Sequence, residues 1–254
     1  MKKLLAITAL SAALFFGQTA VAEEKAAEEV KPSHVEMVLV LDESGSMSDL
    51  TRDTIGGFNS MIEKEKKLDV DAHVTTVLFN DQYKMLYNRR ELKDVSKMTD
   101  KDYTPGGMTA LLDAVGRTIH KMDMVAGIHR KDKGNKVLFV IITDGEENDS
   151  KEYTYADVKK LIKDRQENAG WEFIFLGANI DAAAAAENLG IDRDRAVKYK
   201  NTGSGVRANF KAVAELSDSL AKSGRVSDRW KETVEKDEDD AADKQSAAVT
   251  LHRR

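Results

Sequence analysis

Short apolar runs recur along the chain, and each is followed by a longer segment whose apolar residues repeat at helical spacing. The runs at 38–41 and 137–142 are entirely apolar, as expected of strands that a parallel sheet buries on both faces. The run at 83–87 follows a tight turn, which predicts a hairpin with the strand before it. The predicted strands are 34–41, 71–79, 83–87, 137–142, 172–176 and 196–199, and the predicted helices are 49–68, 109–125, 154–162, 181–189 and 206–220.

This alternation of strand and helix predicts one α/β domain over residues 34–224. Strands that alternate with helices form a mostly parallel sheet, because right-handed crossovers place the helices on its two faces. The hairpin would add one antiparallel strand at the edge. We therefore expect a three-layer α/β/α sandwich of the Rossmann-like type.

Oxygen-bearing side chains follow the two most apolar strands. The sequence Asp-x-Ser-x-Ser comes directly after 34–41, and Thr-Asp-Gly follows 137–142. A glycine turn at 104–108 leads into the helix at 109–125. Because the carboxyl ends of parallel strands meet at one edge of a sheet, we expect these oxygens to lie together and to suit a hard divalent cation. The candidate metal ligands are Asp42, Ser44, Ser46, Thr109 and Asp144.

These three separated stretches together resemble the metal-ion-dependent adhesion site of von Willebrand factor type A domains. The resemblance covers about residues 34–222, and all five candidate positions match in order. It implies that Ser44, Ser46 and Thr109 touch the cation directly, while Asp42 and Asp144 hold it mainly through waters. It also implies a protein partner whose Asp or Glu completes the coordination.

We expect Mg²⁺ at this site, with Mn²⁺ or Ca²⁺ as alternatives, because Mg²⁺ retains waters and needs few protein carboxylates. The chain is then a metal-dependent protein-binding module rather than an enzyme. Two alternatives remain open. One is a phosphatase-like hydrolase that uses the same strand-end metal, and the other is a fixed scaffold subunit of an envelope complex.

The two ends of the chain differ from the predicted domain. Residues 1–22 combine two lysines, a short apolar run and an Ala-Val-Ala sequence, which is typical of a cleaved bacterial signal peptide. We therefore expect a periplasmic or secreted protein without a membrane span after cleavage. Residues 23–33 are predicted to be a linker. Residues 225–254 are rich in charge and alanine, which predicts a disordered tail.

Composition excludes several other kinds of site. The chain has no cysteine, so thiolate metal sites and disulfides are absent. Its net charge of −5 disfavours nonspecific nucleic-acid binding. None of the histidines is spaced from another as metal ligands usually are, so all are predicted to be structural or exposed. They are His34, His73, His120, His129 and His252.

Overall fold

A computed structural model describes residues 34–68, 70–125, 135–227 and 229–237. The predicted signal peptide at 1–22 and the predicted linker at 23–33 lie outside these ranges. In the part of the chain that is described, no helix is both long enough and apolar enough to cross a membrane.

A six-stranded sheet lies at the centre of the domain, with the strand order β3-β2-β1-β4-β5-β6. All neighbouring strands are parallel except β2 and β3, which form the predicted antiparallel hairpin. The predicted α/β sandwich with one antiparallel edge strand is therefore confirmed. The strands are β1 (His34–Asp42), β2 (Ala72–Phe79), β3 (Tyr83–Glu91), β4 (Asn135–Thr143), β5 (Glu172–Gly177) and β6 (Ala196–Lys198).

Helices cover both faces of the sheet because alternate residues of each buried strand point to opposite faces. Helices α1 and α5 pack with Leu39 and Leu41 on one face, and α2, α3 and α4 pack with Val38 and Val40 on the other. A Cβ at Gly57 would lie 2.5 Å from the Phe210 ring, so this glycine lets α1 approach α5 closely. The helices are α1 (Thr51–Lys67), α2 (Leu111–Asp123), α3 (Tyr155–Asp164), α4 (Ala182–Leu189) and α5 (Gly203–Ser223).

The domain continues beyond its predicted end at residue 224. The side chains of Val226, Trp230 and Val234 are buried and belong to the core on the α1–α5 face. The Trp230 Nε1–H donates to the Asp194 carbonyl oxygen at 3.3 Å. The prediction of a disordered tail from residue 225 is therefore wrong for 226–227 and 229–237, which dock through apolar side chains. Residues 238–254 lie outside the described ranges.

A buried carboxyl group lies between α1 and α5. The side chain of Glu65 is fully buried, and its Oε2 accepts a hydrogen bond from the Ser217 hydroxyl at 2.7 Å, while Oε1 has no partner among the described residues. Burial raises the pKa of this carboxyl to about 7, against the opposing effect of the Ser217 hydrogen bond. Asp218 raises the pKa further, and the nearby Lys64 and Lys222 lower it.

This raised pKa predicts a loss of stability as pH rises. Between the unfolded pKa of 4.5 and the folded pKa of about 7, the folded protein binds more protons than the unfolded chain, so the free energy of unfolding falls with increasing pH. The fall contributed by Glu65 should reach about 3 kcal/mol by pH 8. We expect Glu65→Gln to remove this contribution and to be more stable than the wild type at pH 8.

Urea unfolding at pH 5, 6, 7 and 8 measures this effect. Glu63→Gln on the same helix is the matched control, because Glu63 is partly exposed and has no such contact. An unchanged pH slope in Glu65→Gln would contradict the assignment.

Candidate metal centre

The loop after β1 places three of the candidate ligands at the carboxyl edge of the sheet. Asp42 is the last residue of β1, and its Oδ1 accepts a hydrogen bond from the Ser44 backbone N–H at 2.7 Å. The Ser44 and Ser46 hydroxyl oxygens are 3.1 Å apart. The Ser46 hydroxyl also donates to Asp144 Oδ1 at 2.5 Å, so the loop after β1 contacts the loop after β4 directly.

Neighbouring polar groups fix the two carboxylates. The Thr143 hydroxyl, at the end of β4, donates to Asp42 Oδ2 at 2.6 Å. The Asn201 side-chain amide donates to Asp144 Oδ2 at 3.2 Å, and the Asn179 amide donates to the Asp144 carbonyl oxygen at 3.3 Å. One oxygen of each carboxylate thus accepts a hydrogen bond from a residue of another segment. These hydrogen bonds fix the orientation of both carboxylates at the carboxyl edge of the sheet.

Thr109 faces the same space as the serines. A Cβ built on Gly145 would lie 3.9 Å from both the Ser46 and Thr109 hydroxyl oxygens, so these two hydroxyls flank one position. The Thr109 backbone N–H donates to Asn148 Oδ1 at 2.8 Å, and its carbonyl oxygen accepts from the Asn148 N–H at 3.0 Å. The loop after Asp144 therefore positions Thr109 just before α2 begins.

The glycine turn that precedes Thr109 is hydrogen-bonded to the loop after β1. The Gly45 N–H donates to the Gly107 carbonyl oxygen at 3.2 Å, and the Gly106 N–H donates to the Glu43 carbonyl oxygen at 2.9 Å. Gly107 has a φ of +77°, and a Cβ there would clash with Asp81. Only glycine fits this close approach, so the turn brings Thr109 and the Ser44–Ser46 loop together.

The site carries buried negative charge. Asp42 and Asp144 are 1% and 2% exposed. No lysine, arginine or histidine forms an ion pair with either carboxylate within the described ranges. Burial raises the pKa of Asp42 against its hydrogen bonds from Ser44 and Thr143, and the charge of Asp144 raises it further. Two buried carboxylates without a cationic partner favour the binding of a cation.

The tyrosines beneath the site do not supply a counter-charge. The Tyr103 hydroxyl donates to the Asp42 carbonyl oxygen at 2.6 Å, and the Tyr199 hydroxyl donates to the Thr143 carbonyl oxygen at 3.2 Å. Burial and then the nearby aspartate charges raise the pKa of both phenols well above its usual value. Both tyrosines therefore remain neutral hydrogen-bond donors.

The donor set fits a hard divalent cation. All of the candidate side chains offer oxygen, which Mg²⁺ and Ca²⁺ prefer over nitrogen or sulfur. An octahedral Mg²⁺ with bonds of about 2.1 Å holds neighbouring oxygens about 3 Å apart. The Ser44–Ser46 distance of 3.1 Å is close to that spacing, and the shorter Ser46–Asp144 contact is the hydrogen bond that a cation would replace.

A family model matches residues 34–190, and its description is the vWA-TerF-like domain, a von Willebrand type A domain found in the TerF C terminus. The chain belongs to this family. The match covers more than half of the chain, including β1 to β5 and all five candidate ligands. A comparison with curated proteins found no match.

Solved structures with the same fold include three pilus proteins. The pilus adhesin SpaC of Lactobacillus rhamnosus GG, in an open conformation, is 14% identical with a TM-score of 0.59, over 76% of this chain and 31% of the adhesin. The vWF domain of the type V pili tip protein Mfa5 of Porphyromonas gingivalis is 12% identical with a TM-score of 0.53, over 78% of this chain and 99% of that domain. A mutant of the PilB minor pilin of Streptococcus sanguinis is 13% identical with a TM-score of 0.53, over 77% of this chain and 64% of the pilin.

At these identities the likeness shows a shared fold and no more. The chain spans less than two thirds of the PilB minor pilin and about a third of SpaC. The von Willebrand type A fold expected from the sequence is confirmed. The cation and its partner carboxylate remain predictions.

Proposed function

We propose that this protein is a divalent-metal-dependent protein-binding module whose adhesion site is formed by the five candidate ligands. The observation that supports this proposal is the pair of buried carboxylates, Asp42 and Asp144, without a cationic partner among the described residues and with three hydroxyls beside them. A bound Mg²⁺ would supply the missing positive charge. The ligand residues are Asp42, Ser44, Ser46, Thr109 and Asp144.

The chemistry of the site suits recognition of an acidic side chain. The hydroxyls of Ser44, Ser46 and Thr109 are neutral ligands, so they leave much of the cation's charge uncompensated. An Asp or Glu of a partner would then form a strong charge-assisted contact at the open position. Thr143 and Asn201 hold the two carboxylates in place while the partner exchanges.

The fold of pilus adhesins and pilins supports a role in adhesion or in the assembly of an envelope complex. We further propose that the chain is exported through residues 1–22 and acts outside the cytoplasm. We propose a binding role rather than an enzymatic one. The two tyrosines beneath the site, Tyr103 and Tyr199, donate to backbone carbonyl oxygens, and their raised pKa values keep them neutral.

The hydroxyl of Thr109 gives the sharpest test of this proposal. We expect Thr109→Ala to weaken capture of an envelope partner in Mg²⁺ by about 10- to 100-fold, the loss expected for one contact to a charged group. Thr109→Ser should retain most of the capture because it restores the hydroxyl. EDTA should abolish capture by the wild type.

Pull-downs from an envelope fraction, in Mg²⁺ and in EDTA, measure this. The matched control is Ser48→Ala, which removes an exposed hydroxyl from the segment that carries Ser44 and Ser46. This hydroxyl donates to the Gly45 carbonyl oxygen and is not a candidate ligand. Equal capture by Thr109→Ala and the wild type would mean that the Thr109 hydroxyl is not a metal ligand and has only a structural role. Capture that resists EDTA would exclude the adhesion-site mechanism.

A further inference from the structure

A second cluster of possible ligands lies at the opposite edge of the sheet. His34 begins β1, Glu36 follows two residues later, and His73 lies near the start of β2. Glu36 and His73 are register partners, and residues two apart share a face of a strand. The three side chains therefore converge about 20–26 Å from Asp42, at about 3.3 Å per strand residue.

The ligand atoms of this cluster have the spacing of a metal coordination shell. His34 Nε2 lies 2.8 Å from His73 Nδ1 and 3.3 Å from Glu36 Oε1. His73 Nδ1 lies 3.4 Å from Glu36 Oε1. Tetrahedral Zn²⁺ with bonds of about 2.0–2.1 Å holds its ligand atoms about 3.3–3.4 Å apart. Two of the three distances already match, and the third is a nitrogen–nitrogen hydrogen bond whose proton a metal ion would replace.

Asp71 completes the arrangement from outside. Its Oδ1 lies 2.9 Å from His34 Nδ1, on the side of the ring away from the cluster. A carboxylate in this position accepts a hydrogen bond from Nδ1–H. It thereby favours the tautomer whose Nε2 lone pair is free to bind a metal, as the outer partners of metal-binding histidines do. The exposed Asp71 thus orients His34 as a ligand.

Arg89 competes with a cation for Glu36. Its Nε donates to Glu36 Oε2 at 3.0 Å, and its Nη2 contacts Glu36 Oε1 and lies 3.3 Å from His73 Nδ1. Arg89 also adopts a left-handed φ of +46°, an uncommon conformation for an arginine. Oε2 can keep its bond to Arg89 while Oε1 turns to a metal ion.

We propose that His34, Glu36 and His73 bind a transition-metal ion of the Zn²⁺ class, with Asp71 as the positioning residue for His34. Two imidazoles and one carboxylate form a donor set that favours Zn²⁺ over Mg²⁺. Water or a donor from outside would supply the fourth ligand. This site differs in metal preference from the oxygen-only site at the other edge, and it does not depend on the proposed adhesion function.

Competition for Zn²⁺ against a chromophoric chelator, with the full-length protein in excess Mg²⁺, tests the site. We expect one Zn²⁺ per chain, a loss of affinity of at least 100-fold in His34→Ala or His73→Ala, and a 10- to 100-fold loss in Asp71→Asn. Asp71 is largely exposed, so Asp71→Asn should fold normally. Arg89→Gln should bind Zn²⁺ more tightly than the wild type because it removes the competing cation.

Two matched controls separate this site from others. His120→Ala removes an exposed histidine near Asp123 and Tyr153, and Asp144→Ala removes a candidate ligand at the opposite edge. Both should bind Zn²⁺ with wild-type affinity. The proposal is overturned if the wild type binds no Zn²⁺, if Asp71→Asn and His73→Ala both retain full affinity, or if His120→Ala loses as much affinity as His34→Ala.

Discussion

Replacing Trp230 by alanine is expected to lower the free energy of unfolding by about 3–5 kcal/mol, the range measured for buried tryptophans. The Trp230 side chain is 2% exposed and packs in the core on the α1–α5 face, where its Nε1–H reaches the Asp194 carbonyl oxygen. Alanine would leave a cavity and an unpaired backbone carbonyl. A chain that ends at Gly224 should be less stable still, because it also loses the buried Val226 and Val234.

Urea unfolding of the two variants, followed by circular dichroism, measures these losses. Arg229→Ala is the matched control, because this neighbouring side chain is exposed and pairs only with Glu232 on the surface. Its effect should be much smaller than that of Trp230→Ala. Wild-type stability in the truncated chain would mean that 225–237 contributes nothing to the domain.

The sequence missed this docking segment because its signal is sparse. Val226, Trp230 and Val234 recur every four residues, which is helical spacing, but the residues between them are mostly charged or polar. Three apolar positions suffice here because the segment covers an existing core and does not form its own. Contacts such as Thr233 to Glu215 and Lys231 to the Arg193 carbonyl oxygen become visible only in the folded chain.

The candidate ligands were easier to predict from the sequence than the residues that hold them in place. The end of an apolar run shows where a buried strand ends, and parallel strands bring their carboxyl ends to one edge of the sheet. Asp42 and Asp144 could therefore be placed together from the pattern alone. The residues that hold them could not be placed so easily. The Thr-Asp-Gly motif contains Thr143 but gives it no role. Asn201 comes from the loop after β6, where no periodicity in the sequence indicates which way a side chain points.

The histidine cluster was missed for a related reason. His34 and His73 are separated by 39 residues, far from any short metal-binding spacing, and the sequence therefore predicted them to be structural or exposed. They meet because β1 and β2 pair in the register that puts His73 beside Glu36. Register depends on packing across the whole sheet, so a ligand set built across strands leaves no local motif.

Asp144→Asn is expected to change stability in opposite directions with and without a divalent cation. In EDTA the substitution removes one of two buried carboxylates that repel each other, so its melting temperature should equal or exceed that of the wild type. The local structure is kept, because asparagine has the same shape as aspartate and its side-chain oxygen can still accept from the Ser46 hydroxyl. The exposed Asn201 amide, which would face the new NH₂ group, can turn toward solvent. In Mg²⁺ the wild type should become the more stable protein.

The size of the cation effect follows from linkage. At a free Mg²⁺ concentration of about 100 times the Kd, binding to the folded state stabilises the wild type by about 2.7 kcal/mol. For a domain of this size each kcal/mol raises the melting temperature by about 2–4 °C, so the expected increase is about 5–10 °C. Asp144→Asn should show almost none of this increase, because the cation loses a charged ligand.

Thermal unfolding of both proteins in EDTA and in Mg²⁺ gives the four melting temperatures that this prediction needs. Asp49→Asn is the matched control, because it removes one negative charge from an exposed position in the segment after β1, three residues beyond Ser46. Its Mg²⁺-dependent increase should equal that of the wild type. If Asp49→Asn loses the increase as fully as Asp144→Asn does, Mg²⁺ acts by screening surface charge and not by binding at the buried carboxylates.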